Sequence, residues 1–451
     1  MLVESFSGVR GIYGADLDEI IARKYCQAYL QFLGKEKIVI GCDTRTSSEK
    51  IKEAMLSVIP YAIDVGTAST PMVELAVRHY NADGGIIITA SHCPENQNGF
   101  KLLRSDGALL AASDMEKVIK NYKENNLRIY KENKVEKRDI TEDYIDFCLN
   151  LIEEDIELIK NSNFTIITDP NGGAGYIIDG ILKRLNVKNI KVNYELGKFK
   201  RIIEPNHESL KYLIPLIKKK KADFAVGFDC DADRAEIVTN RVIDGNYVLA
   251  LCIDEVLSNK PGIVVINDAT SYLIRDIAKR YNSEVKEVET GEINVVEEML
   301  SVNSLISGEG SSGGVIFHPS RCRDGVLTTL FILRLLAKRE KSVNEILNSY
   351  PEYYNIKDKV KCSPEEQVRV RKRLKEYFFN KGYKIQETGD ETGGLKAIID
   401  SSFLYFRASK TEKTAEGDVL FRIIADSTDE AKAKELLELG KQVFNSVTTL
   451  R

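Results

Sequence analysis

The segment KIVIGCD, Lys37–Asp43, is a run of apolar residues that stops at an aspartate. The same pattern returns in FTIITDP, Phe164–Pro170, and in GIVVIND, Gly262–Asp268, and a helical pattern follows each of them. Short runs rich in Val and Ile are typical of buried strands, and strands that alternate with helices are typical of α/β domains. The repetition predicts three related α/β domains, each built on a strand that ends near an aspartate.

Each of these strands has a second apolar run further along the chain, which ends in polar residues. GGIIITAS ends at Ser91, ADFAVGFDCDAD leads into an acidic cluster from Asp229, and NSLISGEGSSGG presents Glu309. Ligands bind at the carboxyl ends of the strands in open α/β sheets. We therefore expect one functional loop in each of the three domains.

The last part of the chain has a different pattern. From about Asp358 the sequence predicts a strand, a long charged helix over Glu365–Lys381, further strands and a helix over Thr428–Val443, which is typical of an α+β domain. The predicted fold is therefore three related α/β domains and a smaller C-terminal α+β domain. The predicted domain boundaries are 1–150, 151–250, 251–357 and 358–451.

The composition excludes several classes of protein. Lys and Arg total 64 against 68 Asp and Glu, whereas a nucleic-acid-binding protein would show a basic face. The one dense basic cluster, Lys218–Lys221, follows an amphipathic stretch and is interpreted as a solvated helix end. No apolar run approaches the roughly 18 residues of a membrane span, and the N-terminal residues lack the pattern of a secretory signal. Eight cysteines without a CxxC pair predict a reduced, cytoplasmic protein with neither a zinc site nor disulfides.

An acidic loop, FDCDADR, is the strongest candidate metal site. Alternate side chains of an extended segment share a face, so Asp229, Asp231 and Asp233 are expected to point the same way. Carboxylates crowded in this manner repel each other unless a cation lies among them, and hard oxygen ligands select Mg²⁺ or Ca²⁺. Arg234 would then be an anion-binding or charge-balancing partner.

Three other structures could contain a loop of this kind. An EF-hand would need Gly at Arg234 and Glu at Asn240. A phosphatase loop of the DxDx[TV] type would need Thr or Val at Asp233. The three acids could also cap a helix that begins in ADRAEI, residues 232–237.

Two further loops could bind a substrate. GEGSSGG, Gly308–Gly314, is dense in glycine, which lets the backbone approach a ligand closely, and Glu309 and Ser311 suit sugar hydroxyls. The alternative is a plain flexible turn.

The loop RASKTEKTAEG gathers cations and hydroxyls between two strands. Charge-assisted donors and a planar guanidinium are what a phosphate dianion requires. The alternative is a solvated hairpin tip. The candidate phosphate-binding residues are Arg407, Ser409, Lys410 and Thr411.

The candidate nucleophile is Ser91 in TASHCPENQNGFK, Thr89–Lys101. A serine hydroxyl is a poor nucleophile without a base or a cation, and His92 and Lys101 are its neighbours in sequence. No Ser-His-Asp order and no GxSxG motif are recognisable. A metal held by the aspartates would serve instead, which favours phosphoryl transfer over acyl transfer.

Taken together and in this order, the four loops resemble those of the α-D-phosphohexomutase family, which comprises phosphoglucomutase, phosphomannomutase and phosphoglucosamine mutase. TASHCPENQNGFK is similar to the family's TASHNPxxxNGxK, FDCDADR to DGDxDR, GEGSSGG to GExSGH and RASKTE to RxSxTEP. The resemblance covers essentially the whole chain. Lesser matches are GVRG (Gly8–Gly11), GCDTR (Gly41–Arg45), DPNGGAG (Asp169–Gly175) and RDG (Arg323–Gly325).

The resemblance implies mixed sheets in the first three domains, a central cleft among the four domains, and a mechanism. Ser91 would carry a phosphoryl group and pass it to a substrate hydroxyl through a hexose 1,6-bisphosphate intermediate. Mg²⁺ on the three aspartates would also bind the phosphoserine oxygen. Lys101 and Arg10 would lie near the transferring phosphate, Lys101 as a candidate general base or acid, and His92 would hold the loop.

The resemblance also implies how the substrate is bound. Glu309 and Ser311 would hold sugar hydroxyls, and Arg407 would grip the phosphate that does not react, which orients the sugar. The other residues that the resemblance assigns to substrate binding are Arg234, Arg323, Ser409, Lys410 and Thr411.

The predicted function is the interconversion of hexose 1-phosphate and hexose 6-phosphate, with glucose or mannose phosphate as the substrate. Phosphoglucosamine mutase is the alternative enzyme, and a metal-dependent phosphatase or a catalytically weak phosphosugar-binding protein are the alternatives of another class. We expect a monomer or a homodimer that binds a small phosphosugar, and neither nucleic acid nor membrane. The chain departs from the family at Cys93 (usually Asn), Cys230 (Gly), Gly313 or Gly314 (His) and Lys413 (Pro), and an arginine shortly after Lys413 is missing.

Overall fold

The computed structural model describes residues 2–125, 133–311, 313–413 and 417–449, without the side chains of residues 411–413 and 449. This part of the chain forms four sheets, one after another in sequence. The first three sheets are mixed and the fourth is antiparallel, as the fold prediction required.

The first sheet has the strand order β1-β2-β6-β5-β3-β4-β7. Strands β3, β4, β5 and β7 are parallel, and β1, β2 and β6 run antiparallel to their neighbours. Its elements are β1 (Val3–Ser5), β2 (Gly8–Ile12), α1 (Glu19–Leu33), β3 (Lys37–Cys42), α2 (Ser48–Leu56), β4 (Tyr61–Thr67), α3 (Thr70–His79), β5 (Gly84–Ile88), β6 (Gln97–Leu103), α4 (Ala112–Glu124) and β7 (Lys134–Lys137).

Helices cover both faces of the first sheet, which explains the apolar runs of its central strands. Ile38 and Ile40 pack with side chains of α1, α2 and α4, whereas Val39, which points the other way, packs with those of α3. A strand buried on both faces reads as a continuous hydrophobic run and not as an alternation.

The second sheet has the order β11-β10-β8-β9, in which only β11 is antiparallel. The Lys218–Lys221 run is the exposed end of α9, as predicted. The suggestion that the acidic loop caps a helix is wrong, because strand β11 follows the loop. The elements are α5 (Thr141–Asn150), α6 (Ile156–Asn161), β8 (Thr165–Asp169), α7 (Ile178–Arg184), β9 (Lys188–Lys191), α8 (His207–Leu210), α9 (Leu213–Lys220), β10 (Phe224–Phe228) and β11 (Ala235–Val238).

The third sheet has the order β13-β12-β14-β15, in which only β15 is antiparallel. Its elements are α10 (Gly245–Asn259), β12 (Val264–Asn267), α11 (Leu273–Lys279), β13 (Val285–Val288), α12 (Glu292–Ser301), β14 (Ile306–Gly308), β15 (Val315–Phe317), α13 (Gly325–Arg339) and α14 (Val343–Leu347).

The first three sheets share one unit. Strands β3, β8 and β12 each have a parallel neighbour, which is β5, β10 and β14 respectively. Each of these neighbours returns through a loop into an antiparallel strand, which is β6, β11 or β15. Ser91, the aspartate cluster and Glu309 therefore occupy equivalent loops, and the predicted repeat is confirmed.

The fourth sheet has the order β16-β20-β19-β18-β17, with α15 and α16 packed on one face. The predicted long helix begins at Gln367, after a short 3₁₀ turn over Pro364–Glu366. The last helix extends beyond the predicted Val443, because Phe444 and Val447 continue its buried face. The elements are β16 (Tyr354–Cys362), α15 (Gln367–Asn380), β17 (Lys384–Glu387), β18 (Leu395–Ile399), β19 (Ser402–Lys413), β20 (Val419–Ser427) and α16 (Glu430–Thr449).

Within the described ranges, no helix has both the length and the apolar composition that are needed to cross a bilayer. The domain boundaries stay a prediction, because the sheets mark the cores of the domains and not their edges.

Candidate active site

Ser91 lies in a tight turn after β5 and is only 1% exposed. Its φ of 52° is in the left-handed region, which non-glycine residues rarely adopt and which persists only where the surroundings impose it. The Ser91 amide donates to Thr89 Oγ1 at 2.8 Å, and the Ser91 hydroxyl donates to Asp229 Oδ2 at 3.1 Å. The candidate nucleophile is therefore aimed at the acidic loop of the next domain.

A buried arginine that the sequence analysis did not single out holds the backbone of the Ser91 loop. Arg45 Nη2 donates to the carbonyls of Ser91, at 2.7 Å, and of Cys93, at 2.8 Å. Its Nη1 pairs with Asp43, and both side chains are fully buried. The sequence feature that could have indicated this role is the aspartate at the end of KIVIGCD, which an arginine follows two residues later in GCDTR.

The acidic loop takes a different path from the one predicted. It is a turn and not an extended segment, and Ala232 has a left-handed φ of 54° at its centre. The turn still brings Asp229, Asp231 and Asp233 together, with candidate ligand atoms all within 4.8 Å of one another. Cys230 is not among the residues with a positive φ, so the backbone there does not require the family's glycine.

Lys101 lies among these carboxylates. Its Nζ is 2.8 Å from both Asp231 Oδ2 and Asp233 Oδ2, and these charges outweigh burial and raise the pKa of the ammonium. Burial, followed by the charges of Asp233 and Asp231, raises the pKa of Asp229. Burial opposes the ionisation of Asp233, but Lys101 and the nearby arginines, Arg323 first, outweigh it and lower its pKa.

The aspartates fit a hard divalent cation. Asp231 Oδ1 and Asp233 Oδ1 are buried and have no hydrogen-bond partner among the described residues, and burying a carboxylate oxygen without a partner is costly. Carboxylate oxygens are the ligands that Mg²⁺ prefers. Thr70, at the start of α3, also reaches this loop, because its amide donates to Asp231 O at 2.9 Å. No motif in the sequence indicates this contact.

The remaining predicted catalytic residues are close by. His92 Nδ1 is 3.3 Å from Ser91 Oγ, and the charge of Arg234, then burial and the charge of Arg10, lowers the pKa of His92. Arg10 Nη1 is 3.8 Å from the sulfur of Cys93. The Arg234 amide donates to Asp229 Oδ1 at 3.2 Å, so the backbone of Arg234 belongs to the acidic loop. We call this loop, residues 229–234, the metal loop after the cation that its aspartates fit.

Arg323 connects these catalytic residues to Glu309. Its Nη2 is 3.7 Å from Asp233 Oδ2, and its Nη1 is 3.4 Å from Glu309 Oε2. Glu309 Oε1 accepts hydrogen bonds from Asn267 Nδ2, at 2.8 Å, and from the Gly291 amide, at 3.1 Å. Glu309 is 6% exposed, so its orientation is fixed from three directions.

Two glycines of the Glu309 loop, Gly313 and Gly314, lie directly against the metal loop and the start of β11. The Ala235 amide donates to Gly313 O at 3.1 Å, and a Cβ on Gly313 would lie 1.7 Å from Ala235 O. Gly314 has a φ of 136°, and a Cβ there would lie 2.5 Å from Asp233 O. Neither position has room for the histidine that the family commonly carries.

A cleft between the third and fourth sheets is lined by two of the predicted substrate-binding residues, Ser311 and Arg407. Arg407 and Arg422 are directly opposite each other on β19 and β20, so their side chains share a face. Arg407 Nε is buried and finds no hydrogen-bond partner in the described part of the chain. Arg422 therefore places a second guanidinium on the same face as Arg407, although no arginine follows shortly after Lys413. The residues that line the cleft include Asn267, Thr290, Ser311, Lys357, Tyr405, Arg407 and Arg422.

The other residues of the predicted phosphate-binding loop, Ser409, Lys410 and Thr411, differ from one another in their surroundings. Ser409 is buried. Lys410 Nζ is 2.7 Å from Glu289 Oε1 and 3.1 Å from Asp390 Oδ2, so Lys410 is held by two carboxylates and is not among the cleft-lining residues. The side chain of Thr411 lies outside the described residues.

Three segments of the chain match the sequence models of three domains of one protein family. Residues 4–128 match "Phosphoglucomutase/phosphomannomutase, alpha/beta/alpha domain I", residues 142–245 match domain II, and residues 244–354 match domain III.

Known proteins resemble the chain over nearly its whole length. A "Phosphoglucomutase/phosphomannomutase" of Thermococcus kodakarensis is 37% identical, over 96% of each chain. A "Probable phosphoglucosamine mutase" of Thermococcus gammatolerans is 30% identical, over 97% of each chain. A crystal structure of a phosphoglucomutase/phosphomannomutase family protein from Burkholderia thailandensis superposes with a TM-score of 0.82 at 22% identity, over 99% of this chain and 97% of that one. The last similarity concerns the fold alone.

Proposed function

The chain belongs to the phosphoglucomutase/phosphomannomutase family of phosphohexomutases, isomerases of carbohydrate metabolism, and we propose that its substrates are the 1- and 6-phosphates of glucose and mannose. The observation that carries the proposal is the buried Ser91 hydroxyl, 3.1 Å from Asp229 Oδ2. It lies next to aspartates of which two oxygens accept no hydrogen bond from the described residues. This arrangement suits phosphoryl transfer to and from a serine.

In the proposed reaction, the phosphoryl group on Ser91 Oγ passes to the free hydroxyl of the substrate, which gives a hexose 1,6-bisphosphate. The bisphosphate turns over in the cleft, and its other phosphoryl group returns to Ser91. Lys101, whose Nζ lies 2.8 Å from Asp231 Oδ2 and Asp233 Oδ2, is assigned to the transferring phosphoryl group as a cation and as a general acid or base. Mg²⁺ held by Asp229, Asp231, Asp233 and the serine oxygen would offset charge on the transferring group.

Substrate orientation depends on the cleft between the third and fourth sheets. We assign the phosphate that does not react to Arg407 and Arg422, because two guanidinium groups on one face can bind a dianion with paired hydrogen bonds. Lys357 adds a third charge at the cleft wall. Glu309 and Ser311 are assigned to sugar hydroxyls, and Arg234 and Arg323 to the reacting phosphate. Ser409, Lys410 and Thr411 stay predicted phosphate contacts, and for Lys410 the two carboxylate partners count against this role.

The proposal is tested by replacing the nucleophile. Ser91→Ala should abolish the conversion of glucose 1-phosphate to glucose 6-phosphate, a loss of roughly 10⁴-fold or more. It should also remove the mass increment of one phosphoryl group that wild-type protein carries after incubation with glucose 1,6-bisphosphate. A wild-type protein that never acquires the phosphoryl group would favour the phosphosugar-binding alternative.

Phosphoglucosamine mutase is the second candidate. The relative of that name at 30% identity favours it. A panel of glucose, mannose, glucosamine and N-acetylglucosamine 1-phosphates at equal concentration decides between the candidates through the ratio of kcat/KM values.

We further propose a cytoplasmic enzyme that acts as a monomer or a homodimer. All eight cysteines are free thiols, as a reducing compartment favours.

A further inference from the structure

Two buried arginines hold the two catalytic loops in the same way. Arg45 pairs with Asp43 and donates to carbonyls of the Ser91 loop. In the second sheet, Arg201 Nε lies 2.6 Å from Asp169 Oδ2, and its Nη2 donates to Phe228 O at 2.7 Å. Phe228 immediately precedes the first aspartate of the metal loop. In both cases the anchoring aspartate stands at the end of the first strand of the repeated unit.

We propose that Asp43–Arg45 and Asp169–Arg201 form a duplicated clamp that positions the phosphoserine loop and the metal loop for phosphoryl transfer. None of the four residues needs to touch the substrate, so they are positioning residues. The inference rests on the proposed function, because it assigns a role in the reaction at Ser91.

Arginine is suited to this role by its shape. Its planar guanidinium carries five N–H donors and keeps its charge. Arg45 can therefore face Asp43 with one nitrogen while another donates to the carbonyls of Ser91 and Cys93. A lysine ammonium at the same place would keep the charge, but it could not span the carboxylate and both carbonyls.

The two carbonyls that Arg45 holds lie on either side of His92, so they define the turn. Ser91 has a strained φ of 52° within that turn, and its Oγ must stay in reach of Asp229. A displacement of about 1 Å in a reacting group can cost about 100-fold in rate. The clamp would therefore act on the rate of the chemical step.

The anchor of the clamp is itself tied to both ends of the loop. Asp43 Oδ1 accepts from Ser48 Oγ at 2.6 Å. Ser48 Oγ in turn accepts from Asn98 Nδ2 at 3.0 Å, and Asn98 lies on β6, to which the loop returns. One buried network thus connects β3, α2, β6 and the Ser91 turn.

The first test compares Arg45→Lys with a matched control, Arg334→Lys. Arg334 is also buried, pairs with Glu255 and donates to a carbonyl, that of Leu151, at 3.3 Å, but it contacts no catalytic loop. Arg45→Lys should lower kcat about 100-fold with KM for glucose 1-phosphate within about threefold. Arg334→Lys should keep the wild-type kcat per folded molecule, whatever its loss of thermal stability.

A second readout does not depend on activity. Cys93 is the one half-buried cysteine, and the other seven are buried. If Arg45 holds the turn, Arg45→Lys should accelerate the alkylation of Cys93 by iodoacetamide at least about tenfold, and Arg334→Lys should not.

A third test restores the missing group. In Arg45→Ala, guanidinium at millimolar concentration should restore part of kcat, whereas sodium chloride at the same concentration should not.

The second half of the clamp predicts a different defect. Arg201→Lys should weaken binding of Mg²⁺ to the unphosphorylated protein about tenfold in calorimetry, the size expected for groups that support metal ligands. Arg334→Lys should leave this affinity within about twofold.

Failure of the clamp and failure of the proposed function give different results. A wild-type kcat in Arg45→Lys together with unchanged Cys93 alkylation overturns the clamp, even though Ser91 is phosphorylated and the enzyme turns over. A wild-type protein that takes up no phosphoryl group overturns the proposed function. In that case faster alkylation of Cys93 in Arg45→Lys would still show that Arg45 holds the loop, and an unchanged rate would overturn the clamp as well.

Discussion

The equivalent aspartates of the first and third sheets have different partners. Asp43 is bound within its own sheet to Arg45, which holds the Ser91 turn. Asp268 accepts from Tyr405 Oη at 3.0 Å and from Thr388, both in the C-terminal portion around the fourth sheet. The same position in the repeat therefore fixes a catalytic loop in one case and a neighbouring sheet in the other.

The contacts on the two sides of the site differ accordingly. The metal loop meets the third sheet backbone to backbone, with Gly325 N donating to Ala232 O at 3.1 Å. The third and fourth sheets meet through side chains, in the ion pair of Lys396 and Glu287 at 2.6 Å and in a small buried apolar cluster that includes Tyr272 and Phe403. Interfaces between domains allow relative motion unless they are large and hydrophobic. We therefore expect a fixed catalytic side, formed by the Ser91 and metal loops, and an adjustable recognition side, formed by the cleft-lining residues of the third and fourth sheets.

The largest expected effect is on the catalytic side. Asp231→Asn removes a charge from the metal cluster while it keeps the shape of the side chain, and kcat should fall about 10³-fold. EDTA should cause a similar loss in the wild type. Asp106→Asn is the control, because Asp106 forms a surface ion pair with Arg104. Activity of Asp231→Asn within tenfold of the wild type would contradict the metal assignment.

On the recognition side, Arg407→Met should act mainly on KM. Loss of a charge-assisted hydrogen bond to phosphate, about 1.5–3 kcal/mol, predicts an increase in KM of roughly 10- to 100-fold. Arg373→Met is the control, since Arg373 donates to the Val447 carbonyl on the helical face of the same domain. An unchanged KM would place the phosphate elsewhere.

The distinction between a fixed catalytic side and an adjustable recognition side is tested by neutralising Asp43 and Asp268 separately. Asp43→Asn should lower kcat about tenfold at nearly constant KM, whereas Asp268→Asn should raise KM about tenfold at nearly constant kcat. The reason is that Asp43 supports the reacting serine, and Asp268 supports the position of the sheet that carries Arg407. Steady-state kinetics of both variants would refute the distinction if the same parameter changed in each.

The sequence predicted the three repeats because a strand buried on both faces must be apolar throughout, and such runs are visible in one dimension. The path of the metal loop was not predictable. Ala232 adopts its left-handed conformation between contacts from distant segments, with Thr70 N on Asp231 O and Gly325 N on Ala232 O. Tertiary contacts of this kind override the local preference for an extended chain.

The four loop motifs also predicted most of the candidate site, but not the residues that hold those loops. Arg45 and Thr70 reach the site through the order of the strands and helices, which the sequence does not state. Arg422 could have been predicted, because it lies opposite Arg407 on the adjacent strand, and both strands were predicted. Lys410 was expected at the phosphate, and its pairing with Glu289 depends on how the fourth sheet lies against the third.

The smallest expected effect concerns Cys93, where the family usually has asparagine. Arg45 holds this residue through its backbone carbonyl at 2.8 Å, which any side chain retains. The thiol contributes only a weak contact with Arg10 at 3.8 Å, and sulfur is a weak acceptor. Cys93→Asn should therefore change kcat/KM by less than about threefold, with a wild-type level of phosphorylated Ser91. A tenfold loss would show that the side chain, and not the clamped backbone, sets the position of the catalytic turn, and the fixed character of the catalytic side would then need a different explanation.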